Sequence, residues 1–252
     1  MSSIKLYDFT KPQNSPSISG YCQKLETLLR ASSYDNYTHH PTMPRSAPKG
    51  KLPYIELTPS PTSAPETIAD SHFIARHLIA TKTIPDPDEG LTAARRADSR
   101  AWIGYTDDTF YPAVAHTRWA RPDNYAVMRA GLPFPPVLRP IVAWYISWNI
   151  TRRLWTAGMG RHSDEEIDTI IREWVEGVDA RLEGVKYFYG DKPSMVDVDV
   201  YAFIVSGLEC GRGNREFLDM MLGKERIREY AARLTRLWFP EYEGILEIVE
   251  RK

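Results

Sequence analysis

Lys49-Gly50-Lys51-Leu52-Pro53-Tyr54-Ile55-Glu56, followed further on by Ile68-Ala69-Asp70-Ser71-His72-Phe73-Ile74, decides how this chain is read. Leu52 to Leu57 has strand character, with Pro53 near its start, a place where a sheet tolerates proline. Glu66 to Ala69 reads as a short strand that pairs back on it as a hairpin. Asp70 or Ser71 then caps a helix that carries Phe73, Ile74, His77 and Leu78. Working outward, Ile4 to Phe9 is a strand with Ile4 and Leu6 on one side and Lys5 and Tyr7 on the other. Lys11 to Ser19 is a loop of Pro and Ser. Tyr21, Leu25, Leu28 and Leu29 recur at helical spacing, which predicts a helix from Ser19, its N-cap, to about Ala31. Asp35 to His40 is a further strand. The resulting order, β-α-β-β-β-α, makes an α/β domain over residues 1–82.

Thr83 to Gly90, with Pro85 and Pro87, reads as a linker. Beyond it strand signals nearly vanish, so residues 91–252 form an all-helical domain. Leu91 to about Trp119 is helical with charged interruptions. Pro133, Pro135, Pro136 and Pro140 mark an irregular segment or the start of another helix. Ser163-Asp164-Glu165-Glu166 is a capping box, followed by the apolar stripe Ile167, Ile170, Ile171, Trp174, Val178 and Leu182. Gly190-Asp191-Lys192-Pro193 is a turn. Ser194-Met195-Val196-Asp197 is a second capping box, opening a helix with Val200, Phe203, Ile204 and Leu208. A final helix runs from Leu222 or Lys224 to Leu237.

Composition narrows the function classes. Charged residues make up 26% of the chain and the formal net charge is -1, which gives no electrostatic case for nucleic acid. Two distant cysteines, Cys22 and Cys210, do not make a disulfide framework. The N-terminus lacks the apolar run of a signal peptide. Pro136 to Trp148 is the most apolar stretch, but Arg139 and Pro140 interrupt it and it is too short to span a bilayer. Contact with a membrane surface is its second reading. A cytoplasmic location is expected. The six histidines show no zinc spacing, so no metal is expected.

Three blocks taken together resemble the glutathione S-transferase superfamily. They are Ser19-Gly20-Tyr21-Cys22-Gln23-Lys24-Leu25-Glu26-Thr27, the Lys49–Ile74 pair above, and Gly160-Arg161-His162-Ser163-Asp164-Glu165-Glu166 with Tyr189-Gly190-Asp191-Lys192-Pro193-Ser194-Met195-Val196-Asp197. Within the superfamily the chain looks closest to the branch of metaxins, failed-axon-connections proteins and cadmium-response transferase-like proteins. The resemblance spans nearly the whole chain and is weakest between about Phe110 and Trp155. It implies a thioredoxin-like N-terminal domain, an all-helical C-terminal domain and a two-fold homodimer. A fold alone does not imply the activity.

For individual residues the resemblance implies the following. The Leu52–Pro53 bond is cis and presents the Leu52 backbone to the cysteinyl part of glutathione. Ser71 holds the γ-glutamyl carboxylate and Asp70 the ammonium beside it; a plain N-cap is the alternative for both. Lys51 pairs with the glycyl carboxylate, or is a solvated charge. Ser19 stands where serine-type transferases keep the hydroxyl that activates the thiol; Ser17 is a substitute one turn of loop earlier, and Tyr7 stands where tyrosine-type enzymes keep theirs. Cys22 packs inward as a small hydrophobe. Trp102, Tyr105, Tyr111, Trp119, Trp144 and Trp148 line a pocket for a hydrophobic second substrate, or are core. The implied activity is conjugation or glutathione-dependent isomerisation, as in detoxification or secondary metabolism. A non-catalytic metaxin-like binding or scaffold protein is the rival reading. A Thr58–Pro65 loop lying over the site would favour that rival, and so would an incomplete glutathione subsite.

Overall fold

The computed structural model describes residues 2–251. Its N-terminal part is a four-stranded mixed sheet in the order β2-β1-β3-β4. β1 (Ser3–Asp8) runs parallel to β2 (Tyr37–Pro41) and antiparallel to β3 (Tyr54–Thr58), and β4 (Glu66–Ala69) closes the hairpin. Alternation along β1 and β3 sorts the side chains. Ile4, Leu6, Ile55 and Leu57 face the helices α1 (Gly20–Ala31) and α2 (Ser71–Ala80); Lys5, Tyr7, Tyr54 and Glu56 face the other way.

Among the described residues the second half carries nine helices. α3 (Ala93–Tyr105) runs through a π-helical turn, Thr106–Phe110, into α4 (Tyr111–Ala120). α5 (Pro122–Ala130) and α6 (Arg139–Ala157) follow, so the proline-rich segment resolves into a turn and then a helix. α7 (Asp164–Arg181) begins at its capping box: the Glu166 amide donates to Ser163 Oγ, and the Ser163 amide donates to Glu166 Oε2. α8 (Met195–Cys210) begins at the second capping box, whose Asp197 accepts hydrogen bonds from Ser194, the Phe188 amide and Tyr230. α9 (Arg215–Leu222), α10 (Glu225–Trp238) and α11 (Glu243–Glu250) complete the chain. α11 corrects the reading that ended the last helix at Leu237. Ile245 and Val249 belong to the core, although the Phe239-Pro240 break reads as an end.

α8 is the central element. It is buried on nearly every side and mostly apolar, with Asp197, Asp199 and Ser206 as its buried polar residues. α1 packs along it, so one hydrophobic core runs from the sheet into the helical half. The 83–90 segment is docked rather than free. Ile84 is in that core, and buried Asp88 accepts from Ser99 Oγ and from the Met195 amide.

Candidate functional site

The Leu52–Pro53 peptide is cis. The Asp70 amide donates to the Pro53 carbonyl at 3.4 Å, so the hairpin delivers Pro53 and the start of α2 to one corner. Among the described residues no hydrogen bond uses the backbone groups of Leu52, which leaves a strand-like edge beside that corner.

Asp70 caps α2, with Oδ1 accepting from the His72 amide at 3.0 Å. It does so with φ 86, a left-handed conformation rare for a residue with a side chain. That conformation costs about 1–3 kcal/mol and is typical of ligand clamps. Ser71 is the first residue of α2 and is buried, and among the described residues its hydroxyl makes no hydrogen bond. The helix N-terminus and this hydroxyl suit an anionic group. Lys51 is exposed and makes no ion pair among the described residues. Lys49, which the sequence reading passed over, lies against α2: its Nζ sits 4.7 Å above the Phe73 ring.

Ser19 caps α1, its Oγ 3.5 Å from the Cys22 amide. An oxygen that accepts there keeps its proton free to donate elsewhere. Ser17 is locked in place. Its amide donates to Gln23 Oε1, its Oγ accepts from the Ser19 amide, and its carbonyl accepts from Ser206 Oγ of α8. The Ile18 carbonyl accepts from Arg118 of α4 at 3.1 Å. The helical half therefore holds the loop that aims Ser19. Cys22 is buried with Leu52 and Tyr54 in a small cluster beneath the corner, as the sequence reading expected of an inward-packed thiol. Burial pushes that thiol up to about 12, against opposing hydrogen bonds from Ser19, Phe9 and Ser17, so it is neutral.

Tyr7 lies on the outer face of the sheet. It stacks on Tyr54 with centroids 4.3 Å apart and leans on His40. Burial and then the Glu56 carboxylate raise its pKa, which keeps it a neutral phenol. The Thr58–Pro65 loop stands at the far end of β3 from Pro53, about 16 Å away at ~3.3 Å per strand residue. It does not lie over the corner.

The seam between the halves holds a buried lysine and two acidic residues that the sequence reading missed. Lys24 of α1 is 2% exposed and its Nζ lies 2.5 Å from Asp199 Oδ1 and 2.8 Å from Asp107 Oδ2. Burial pulls the lysine down, but the two carboxylates outweigh it and Lys24 stays charged. Burial pushes both acids up, Asp199 to about 7, with Lys24 opposing. One ammonium thus serves two carboxyls, and the deeper one holds a proton near neutrality. Asp107 sits in the π-helical turn, where its carbonyl also accepts from Tyr21, and it feels the charge of His72 on α2.

The aromatic residues read as a pocket do not converge. Trp102 packs on Phe188 and Tyr105, and Tyr111 on Tyr21 and Phe203; Trp144 and Trp148 point to solvent. A separate cavity of about 500 Å³ opens between α1, β2 and the loop after β1, lined by charged groups that include Asp8, Lys11, Glu26, Arg30 and His39. Among the described residues no group of three or more His, Cys, Asp or Glu is placed to hold a metal ion.

A thioredoxin-like domain with a cis-proline and a capped α2, docked on an all-helical domain, defines the glutathione S-transferase fold. Residues 20–124 match the glutathione S-transferase N-terminal domain family. The chain is 32% identical over 214 residues to "Failed axon connections" of Drosophila melanogaster, an alignment covering 80% of this chain and 49% of that protein. It therefore spans about half the length of that relative. It is 26% identical over 230 residues to metaxin-1 of Sus scrofa, covering 86% of this chain and 69% of that one. Two solved structures share the fold. FzlA from C. crescentus has TM-score 0.63 and 15% identity, covering 99% of this chain and 93% of that one. A Pseudomonas fluorescens glutathione transferase family member with two glutathione bound has TM-score 0.60 and 14% identity, covering 98% and 92%. Residues 20–124 thus carry a glutathione S-transferase N-terminal domain, the whole chain has the glutathione S-transferase fold, and in sequence it is similar to failed axon connections and to metaxins.

Proposed function

We propose that the protein binds glutathione at the Pro53–Ser71 corner and activates its thiol for addition to a hydrophobic electrophile, by conjugation or isomerisation. The observation that carries this is the pair Asp70–Ser71: a strained cap held against the cis-proline, with a serine hydroxyl at a helix N-terminus that makes no hydrogen bond among the described residues. Leu52 offers its free backbone to the cysteinyl unit, Ser71 and the first amides of α2 take the γ-glutamyl carboxylate, and Asp70 takes the ammonium. Lys51 or Lys49 meets the glycyl end. Ser19 donates its hydroxyl proton to the thiolate at the N-terminus of α1, where the free amides also favour the anion. A thiol of ordinary pKa about 8.5 is lowered by such surroundings. The proton leaves to solvent and the sulfur attacks the electrophile. A cytoplasmic location and a two-fold dimer belong to the same reading.

The relatives support a second reading equally, a non-catalytic binding protein that keeps the fold. Calorimetry with glutathione on the wild type and on Ser71→Ala tests the site. Loss of a hydrogen bond to a charged group, about 1.5–3 kcal/mol, weakens binding about 10- to 100-fold in the variant. No binding to the wild type at millimolar glutathione refutes the proposal. Binding without turnover of an aryl halide, in the wild type as in Ser19→Ala, selects the non-catalytic reading.

A further inference from the structure

The apolar stripe of α6 faces outward. Ile141, Trp144, Tyr145, Trp148 and Trp155 recur at helical spacing on one side of the helix, and the three tryptophans are 61%, 46% and 59% exposed. The opposite side, with Ala143, Ser147 and Leu154, packs inward, where Ser147 donates to the Trp119 carbonyl of α4. Val137, at 77% exposure, extends the stripe into the turn before the helix. A helix of 19 residues makes this ridge about 28 Å long. Contiguous exposed apolar surface of this kind marks an interaction site.

The charge around it is one-sided. Residues 124–163 contain five arginines, Arg129, Arg139, Arg152, Arg153 and Arg161, and no Asp, Glu or Lys, in a chain whose net charge is -1. Among the described residues none of the five has a carboxylate partner. Arg152 and Arg161 instead lie over the Trp148 and Trp155 rings.

We propose that this face docks the protein on an anionic lipid surface. Tryptophan and tyrosine favour the headgroup level of a bilayer, where the ring body is apolar and the polar tip stays wet. Arginine beside them extends to the phosphates. No helix among the described residues is long and apolar enough to cross a membrane, so α6 lies in the surface plane. A second copy of this chain fits less well, because a two-fold contact through α6 sets the arginine field against itself. A protein partner fits less well because the aromatic residues stand exposed along one helix with only arginines as charged neighbours, which suits a uniformly anionic surface.

The test is flotation of the full chain with phosphatidylcholine vesicles, with and without phosphatidylserine. The wild type floats with the anionic vesicles and not the neutral ones, and salt releases it. Arg152→Glu/Arg153→Glu weakens binding at least about tenfold. Trp144→Ser/Trp148→Ser does the same, and both pairs are exposed, so circular dichroism stays as in the wild type. Wild type that stays with the soluble fraction at low salt overturns the proposal. So does flotation that both double variants leave unchanged. A dimer in light scattering that Trp144→Ser/Trp148→Ser dissociates, with no flotation, assigns the face to a second copy and also overturns it. None of these results depends on glutathione.

Discussion

Replacing Lys24 by methionine removes the one ammonium at the seam and leaves two carboxyls facing each other. Asp199 is fully buried, its Oδ1 is 2.5 Å from that ammonium, and among the described residues its Oδ2 has no hydrogen-bond partner. Asp107 is 16% exposed and reaches water, so Asp199 carries the larger loss. Breaking a buried pair by removing one partner costs about 3–5 kcal/mol, because the stranded charge keeps its desolvation penalty. With urea slopes of about 1–3 kcal/mol per molar, the midpoint falls by roughly 1–5 M at pH 7.5. Asp199 has a folded-state pKa raised to about 7, so its favourable share is full below its unfolded pKa and is lost as pH rises through about 7. Lys24→Met raises that pKa further, so its deficit is smaller at pH 5, where Asp199 holds its proton, than at pH 7.5. Lys24→Met/Asp199→Leu exchanges the pair for apolar volume and recovers most of the loss. Urea unfolding followed by circular dichroism and tryptophan fluorescence measures all three. A Lys24→Met midpoint within about 0.3 M of wild type, or a double variant no better than the single one, refutes the reasoning.

Two further outcomes follow from the same seam and its surroundings. His39 bridges Asp8 and Glu26 at 3.2 and 3.1 Å; burial pulls its imidazole down, but the carboxylates lift it to about 9. Its stabilisation is therefore full below about pH 6.5 and lost as pH rises through about 9. The shift is worth roughly 3 kcal/mol before screening and about 1–2 after allowing for the exposed third of the side chain. Wild-type Tm falls about 3–6 °C from this source between pH 6.5 and 9, whereas His39→Gln starts lower and stays flat; equal slopes in the two proteins defeat the assignment. Gly20→Ala places a methyl group into the Phe203 ring, where α1 meets α8. It costs about 1–3 kcal/mol in thermal unfolding, and Phe203→Leu in the same chain restores part of that; a neutral Gly20→Ala contradicts the close packing.

What the sequence made legible was local. The Pro53 and Asp70–Ser71 blocks announce strand, turn and cap within a few residues of each other, and the fold places them in one corner. The capping boxes at Ser163 and Ser194 read correctly for the same reason. Lys24 did not, because a lysine on a helix reads as solvated until the helix is packed against another. Asp107 and Asp199 are distant in sequence, and only α1 lying on α8 brings them together. Periodicity also identifies a stripe without naming what covers it. Trp144 and Trp148 read from sequence as pocket or core, and the fold turns them outward because Ala143 and Leu154 on the other side of α6 supply the packing face. Arg118 and Ser206, which hold the loop before Ser19, carry no motif at all.

α4 connects the two surfaces of interest. On one side Arg118 holds the Ile18 carbonyl, next to the hydroxyl that would face a bound thiol. On the other, the Trp119 carbonyl accepts from Ser147 of α6. Neighbouring residues of one helix thus support the corner at Ser19 and the ridge at Trp144 without either surface covering the other. A protein lying on a lipid surface through α6 would keep the loop before Ser19 held by α4. Binding at a surface and chemistry on glutathione are therefore compatible in this chain. The transferase and scaffold readings compete only over whether the thiolate is used, and docking through α6 bears on neither answer.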